Sequence, residues 1–395
     1  MTSSKSAITN LNSTGLDIPV SQTRSLANAA MGTQGIIPLW FGEPDVPTPK
    51  FICDAANASM AAGNTYYTEG LGKPFLREAL TNYMTGLYGR KIDMNRIAVT
   101  VSGTNALNLA FQLLMTPGDK MATTLPSFPT LLTVPRLQYA EIDTVPLSPT
   151  SNGWTLDIEQ VIEKAKSAKI LLLNSPNNPT GWMMERDEID AILEACRKSG
   201  TWIISDEVYA RIVYEGDVAP SFSEVAEAED RVIIVNSFSK SWAMPGWRLG
   251  WLTLPPSLLH EFEKLMEFSM SCAPEFVQAG GLAAVEKGED FIKEQRENLR
   301  VTRDLAIRRL SAIDGVTCIP PSAAFYAYFQ IAGITDNTGF AREMAEKAKV
   351  GVAPGITFDP SMQDWFRICF AKSPELLNEA FDRMEGFLAE VNASS

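Results

Sequence analysis

The chain has 395 residues, 45% of them apolar and 21% charged, an ordinary globular composition with length enough for one large and one smaller domain. Its 47 acidic side chains against 34 basic ones leave a net charge of -13, which opposes general attraction to nucleic acid or an anionic membrane surface. Any anion site must be local, and a single histidine (His260) with five dispersed cysteines excludes a His-rich or Cys-rich zinc cluster.

Residues 1–50, rich in Ser, Thr, Pro and Gly, contain Lys5 and Arg24 but no long apolar run, so neither a signal peptide nor a membrane span is expected there. They predict an arm and one strand of a smaller unit. From about residue 95, short β-branched runs alternate with helical patterns: "RIAVTVSG", "KMATTLP", "EIDTVPL", "KILLLNSP", "TWIISDEVY", "RVIIVNSFSK" and "RLGWLTLP". That alternation predicts a mostly parallel sheet with helices on both faces. "SLLHEFEKLMEF" reads as an amphipathic helix, which makes His260 a surface or structural residue and leaves no Ser-His-Asp triad that avoids it. Beyond residue 310, "GVTCIP", "FYAYFQ" and "FRICFA" alternate with helical patterns near 338–349 and 374–391, predicting an α+β unit. The expected division is a large domain over 51–309 and a small one from 1–50 plus 310–395. Cys53, Cys196, Cys272, Cys318 and Cys369 form no C-x-x-C pair and read as reduced core thiols of a cytoplasmic protein.

Ligands of open parallel sheets bind beyond the carboxyl ends of the strands, where side chains and helix N-termini converge. Four polar groups stand at such ends: the Gly103 region, the "NSPNNPTG" run, Asp206 and Lys240. Two chemistries compete for Lys240. A Ser237-x-x-Lys240 step suits a serine acyl-transfer enzyme, but "SPN" at 175 and "KSG" at 198, the elements that should follow it, both precede it. A lysine that holds a carbonyl cofactor as a Schiff base needs an acidic residue for a pyridinium nitrogen and donors for a phosphate. Asp206, Ser237 and Arg248 have the right types and places. The apolar residues around Arg248 in "WRLGW" predict burial, and a buried arginine requires an anionic partner.

Together, "SFSKSWAMPGWRLGW", "NSPNNPTG", "SDEVY" and "FRICFA" resemble the class I/II aminotransferases of the fold type I pyridoxal-phosphate enzymes, from "FGEPDVPTP" near 41 to "FRICFA" near 366. The resemblance implies a three-layer α/β/α large domain, a smaller α+β domain and pyridoxal 5'-phosphate as cofactor. It implies that Lys240 holds the cofactor and then moves the substrate proton, and that Asp206 faces the ring nitrogen. Tyr209 and Asn178 would bond the phenolic oxygen, and Phe128 would stack on the ring. Gly103, Thr104 and Asn105 would offer N–H groups to the phosphate, with Ser237, Ser239 and Arg248. Arg367 and Gly42 would receive the substrate α-carboxylate. Tyr67, in "YTEGLGKPFLR", would reach the phosphate of a neighbouring subunit, which implies a homodimer with shared sites.

The implied reaction moves an amino group between an L-amino acid and a 2-oxo acid. The same groups also serve C–S lysis, elimination or replacement on this cofactor. Three departures from the family pattern fall where substrates are chosen. Thr104 stands where a lysine for a second carboxylate often occurs, Phe128 replaces the commoner Trp or Tyr, and "PSAAFYAYF" lacks the glycine usual before "FY".

Overall fold

The computed structural model describes residues 18–394; residues 1–17 of the expected arm and Ser395 lie outside the described residues. The strands, in chain order, begin with β1 (Ile37–Pro38), β2 (Ile97–Thr100), β3 (Lys120–Leu125), β4 (Glu141–Thr150) and β5 (Gly153–Leu156). They continue with β6 (Ile170–Asn174), β7 (Trp202–Asp206), β8 (Val232–Ser237), β9 (Gly250–Thr253) and β10 (Val316–Ile319). The last four are β11 (Tyr326–Ile331), β12 (Val350–Gly351), β13 (Ala353–Pro354) and β14 (Trp365–Cys369).

Eight of these make one sheet in the order β2-β9-β8-β7-β6-β3-β4-β5. β8, β7, β6, β3 and β4 run parallel, while β9 and β5 are antiparallel to their neighbours. The central strands are buried on both faces, as their unbroken apolar runs require. Alternate residues go to opposite cores. Leu171, Leu173, Ile203, Val232 and Ile234 pack with Val161, Ile189, Ile192 and Leu193 of the helices Ile158–Lys166 and Arg186–Ser199. Ile170, Leu172, Ile204, Ile233 and Val235 pack with Leu107, Phe111, Phe262 and Met266 of the helices Gly103–Leu114 and Leu259–Ser269. This is the expected three-layer arrangement.

The smaller sheet is antiparallel, β10-β11-β14-β13, and β1 pairs with β12 beside it. The long helix Glu289–Ser311 sends Leu299, Leu305, Ala306 and Leu310 into the core under that sheet, with Phe329, Phe366 and Leu377. His260 is exposed on its helix, and all five cysteines are free, Cys196 and Cys369 fully buried. Among the described residues no helix is long and apolar enough to cross a membrane, and no His, Cys, Asp and Glu group has the arrangement of a metal site.

Candidate active site

The carboxyl ends of β6, β7 and β8 open onto a cavity of about 300 Å³ that also meets the smaller sheet. Asp206 ends β7 and lines the cavity, with the N–H of Val208 donating to its Oδ1 at 3.3 Å. Burial pushes its carboxyl up to about 7, against the opposing pull of that N–H and of Lys240. Lys240 follows β8 on a single helical turn, Phe238–Ser241, which Ser237 caps by accepting from the Ser239 N–H. The Lys240 Nζ donates to the carbonyl of Gly42 at 2.7 Å, across the cavity from its own strand. Burial lowers the amine to about 8, and Arg367 and Arg248 act in the same direction.

The helix Gly103–Leu114 begins at the same rim. Ser102 caps it with φ +151°, and its hydroxyl accepts from the Asn105 N–H at 3.1 Å. A side chain at Gly250 would lie 2.8 Å from the Asn236 carbonyl and 2.9 Å from the Gly103 nitrogen, so glycine lets β9 approach this turn. The Asn105 N–H is therefore engaged within the chain, and Asn105 does not line the cavity. This corrects its expected place among the phosphate donors; Gly103 and Thr104 remain at the cavity wall.

Arg248 needs a second correction. It is exposed rather than buried, because φ +53° turns it away from the strand while Leu249 and Trp251 take the core positions. Its guanidinium donates to the Pro245 carbonyl at 2.7 Å and borders the cavity. Phe128 is 39% exposed and lines the cavity wall. Ser237 donates to Ser239 Oγ at 3.0 Å, so the lysine is joined to Gly42 and not to Ser237, unlike a serine nucleophile and its base.

The opposite wall comes from the smaller sheet and the 40–42 segment. Arg367, in the middle of β14, is 3% exposed. One of its nitrogens donates to Asn178 Oδ1 at 2.8 Å, and another donates to the Trp40 carbonyl. Its Nε is buried with no partner, and its guanidinium lies 4.4 Å from the Tyr326 ring and 4.7 Å from that of Phe358. Tyr209 and Tyr326 share a hydroxyl–hydroxyl bond of 2.7 Å, and burial raises both phenols. A Cβ on Gly42 would fall 1.8 Å from the Tyr326 hydroxyl, which explains the glycine.

Twelve expected residues thus meet at one cavity, whereas Asn105 does not and Tyr67, 88% exposed on the loop before the helix Pro74–Tyr88, stands apart in the single chain. Sequence reasoning missed Tyr326, Trp40, Asn174 and the helix Gln22–Ala29, whose Thr23 and Arg24 also reach the cavity. Asn174, whose Oδ1 accepts from the Asn178 N–H at 2.9 Å, was open to the strand-end rule. Trp40 acts through a backbone carbonyl and carries no side-chain signal.

The family model for aminotransferase class I and II matches residues 34–384. An aspartate aminotransferase of Pyrococcus horikoshii is 32% identical over 92% of this chain and 94% of the relative. Among solved structures, an aspartate aminotransferase from Thermotoga maritima (30% identity) and an alanine aminotransferase from Pyrococcus furiosus (26%) each superpose with a TM-score of 0.89 over 96% of this chain and all of theirs. A match across nearly the whole chain, on a fold whose cavity gathers the lysine, the carboxylate and both arginines, makes this protein a member of the class I and II aminotransferase family, an enzyme that transfers amino groups.

Proposed function

We propose that the cavity holds pyridoxal 5'-phosphate and that the enzyme exchanges an amino group between an L-amino acid and a 2-oxo acid, as a cytoplasmic homodimer. The observation that carries this reading is a charge imbalance: Lys240, Arg248 and Arg367 border one cavity, and none has an acidic partner within 4.0 Å among the described residues. The buried Arg367 needs an anion, which a substrate carboxylate supplies, and a phosphate suits the exposed fork of Arg248 at the cavity rim. The donor set fits the cofactor. Gly103 and Thr104 at a helix start, with Ser237, Ser239 and Arg248, would hold the phosphate. Asp206, a buried carboxyl with a single side-chain hydrogen bond, would face the ring nitrogen.

When bound, the cofactor supplies a carbonyl that takes up and returns the amino group and a ring that accepts the electron pair left at the substrate α-carbon. The chain's own groups do the rest. Arg367 has five N–H donors, two of them committed to Asn178 and Trp40, and the others are left for the α-carboxylate. Those two partners and the flanking rings fix the plane of the fork. Lys240 Nζ, its basicity lowered by burial, is the base that takes the α-proton. In the Tyr209–Tyr326 pair one hydroxyl proton closes the bond and the other is left to donate to a ligand oxygen.

The exposure of Tyr66 and Tyr67, 83% and 88%, supports a subunit contact that brings Tyr67 to a neighbouring site. The division into a cofactor-binding unit over 51–309 and a smaller unit from 1–50 plus 310–395 runs along the helix Glu289–Ser311, whose Ile292 packs with Trp242 and Leu249 of the larger unit and whose Leu299, Leu305 and Leu310 pack in the smaller core.

Borohydride reduction of the cofactor-loaded protein followed by peptide mapping is expected to leave the label on Lys240, and L-amino acids to yield 2-oxo acids with an aminated cofactor. A label on another lysine overturns the assignment.

A further inference from the structure

Three guanidinium groups reach the cavity, and the proposed function uses two of them. The third, Arg24, lies on the helix Gln22–Ala29, which is tied to the cavity wall by Thr23 Oγ1 and Thr357 Oγ1 at 3.3 Å. Its guanidinium sits 4.5 Å over the ring of Phe41, and no acidic side chain lies within 4.0 Å of it among the described residues. Stacking engages the face of a guanidinium and leaves its in-plane N–H donors available.

The placement of Arg24 is tied to that of Arg367. Trp40 accepts from Arg367 through its carbonyl, while the next residue, Phe41, carries Arg24 on its ring. Adjacent α-carbons are about 3.8 Å apart, so one short segment presents both cations to the same space. The wall between is poor in charge: Leu107, Phe128 and Phe358 are apolar, and Thr104 offers a hydroxyl only. A phosphate and one α-carboxylate leave Arg24 without an anion.

We propose that Arg24 determines specificity by binding an anionic group at the far end of the substrate side chain, so that the enzyme prefers 2-amino dicarboxylic acids, and the matching 2-oxo acids, over monocarboxylic ones. This rests on the reading of Arg367 as the α-carboxylate site. A carboxylate accepts the in-plane fork of Arg24 in two parallel hydrogen bonds, whereas a terminal methyl gains nothing there.

The test uses the cofactor-loaded full chain and pairs of equal length: L-glutamate with L-norvaline, and L-aspartate with L-2-aminobutyrate. In the wild type, kcat/KM is expected to favour the dicarboxylic member of at least one pair by tenfold or more. Arg24→Gln should lower that ratio about tenfold or more, chiefly through KM, and Arg24→Lys should recover part of it, because charge returns without the fork. A readout without turnover is the Kd ratio of butyrate to succinate, which should fall in Arg24→Gln. A wild type without dicarboxylate preference, or an Arg24→Gln variant in which both members of a pair fall equally, overturns the proposal. A wild type that transfers no amino group from any amino acid tried sinks the broader functional reading, and this one with it.

Discussion

On one side of the cavity, Asp206, Ser237 and Lys240 leave the ends of β7 and β8, parallel strands buried on both faces between two helical layers. On the other side, Gly42, Tyr326 and Arg367 come from an irregular segment and from antiparallel strands of the smaller sheet. The first wall holds the groups to which the proposed function gives charge and proton transfer, in positions set by the ends of the large sheet. The second, which in the proposed function receives the α-carboxylate, is built of residues that hold one another: Arg367 on Asn178 and Trp40, Tyr326 on Tyr209, and Lys240 on Gly42. On that reading chemistry is anchored in the large sheet, recognition in contacts that cross to the smaller one.

If that division is real, damage to the first wall should slow turnover without changing which substrates bind. Asp206→Asn removes the charge that favours a protonated ring nitrogen while keeping shape and burial. Proton abstraction should slow by roughly 10²–10³-fold, as when one electrostatic stabiliser is lost, with substrate half-saturation little changed. Stopped-flow half-reactions in the cofactor-loaded variant measure this, and near-normal rates would erase the distinction between the walls.

The first wall was also the legible one. Parallel strands write themselves as unbroken apolar runs, and the rule that ligands gather at their carboxyl ends selected the Gly103 region, the "NSPNNPTG" run, Asp206 and Lys240 without reference to any other protein. The second wall resists such reading. Residues two apart on a strand share a face, so the alternation in "FYAYFQ" does not single out Tyr326 from Tyr328, which packs between Trp154 and Trp365 instead. Arg367 was found through resemblance alone. The absence of Asn105 from the cavity has a local cause, a serine cap that consumes its N–H, and the exposure of Arg248 arises from a left-handed turn that flanking apolar residues do not announce.

On the second wall, Arg367→Lys keeps a positive charge but loses the planar fork. Amino-acid and oxo-acid substrates should both bind more weakly, by about 1.5–3 kcal/mol if one charge-assisted hydrogen bond is lost. Cofactor retention should scarcely change, since Arg248 and the Gly103 helix start lie on the other wall. Cofactor release with intact substrate affinity would reverse the roles assigned to the two arginines.

The first wall also answers to pH before cofactor binds. Asp206 titrates near 7 when folded, well above its ordinary 3.8, so its proton favours the folded state; that contribution is complete below about 4 and lost as pH rises through 7. Glu207, pushed up to about 8 by burial, acts in the same sense, whereas Lys240, lowered from 10.5 to about 8, contributes stability above about 10.5 that is lost as pH falls through 8. In cofactor-free protein, the Tm of Asp206→Asn relative to wild type should therefore climb between pH 4 and 7 and then level. A pH-independent difference would mean that the Asp206 carboxyl is not buried as described.

The smallest effect concerns the backbone that delivers Tyr326 to the second wall. Ala324, where the family pattern has glycine, adopts φ +58° while fully buried, its N–H bonded to Ile212 and its carbonyl to the Tyr214 hydroxyl. A left-handed alanine costs about 1–2 kcal/mol. Replacing it by glycine relieves that cost but surrenders about 0.8 kcal/mol of methyl burial and about 0.5–1 kcal/mol of backbone entropy, so Ala324→Gly should leave stability within about 1 kcal/mol of wild type. Ala327, on β11 and equally buried, has no positive φ to relieve, and Ala327→Gly should lose about 1–2 kcal/mol. The gap between the two variants, read from urea midpoints at equal slope, isolates the strain. Equal losses would show that the turn at Ala324 carries none, and that the second wall is delivered by unstrained chain.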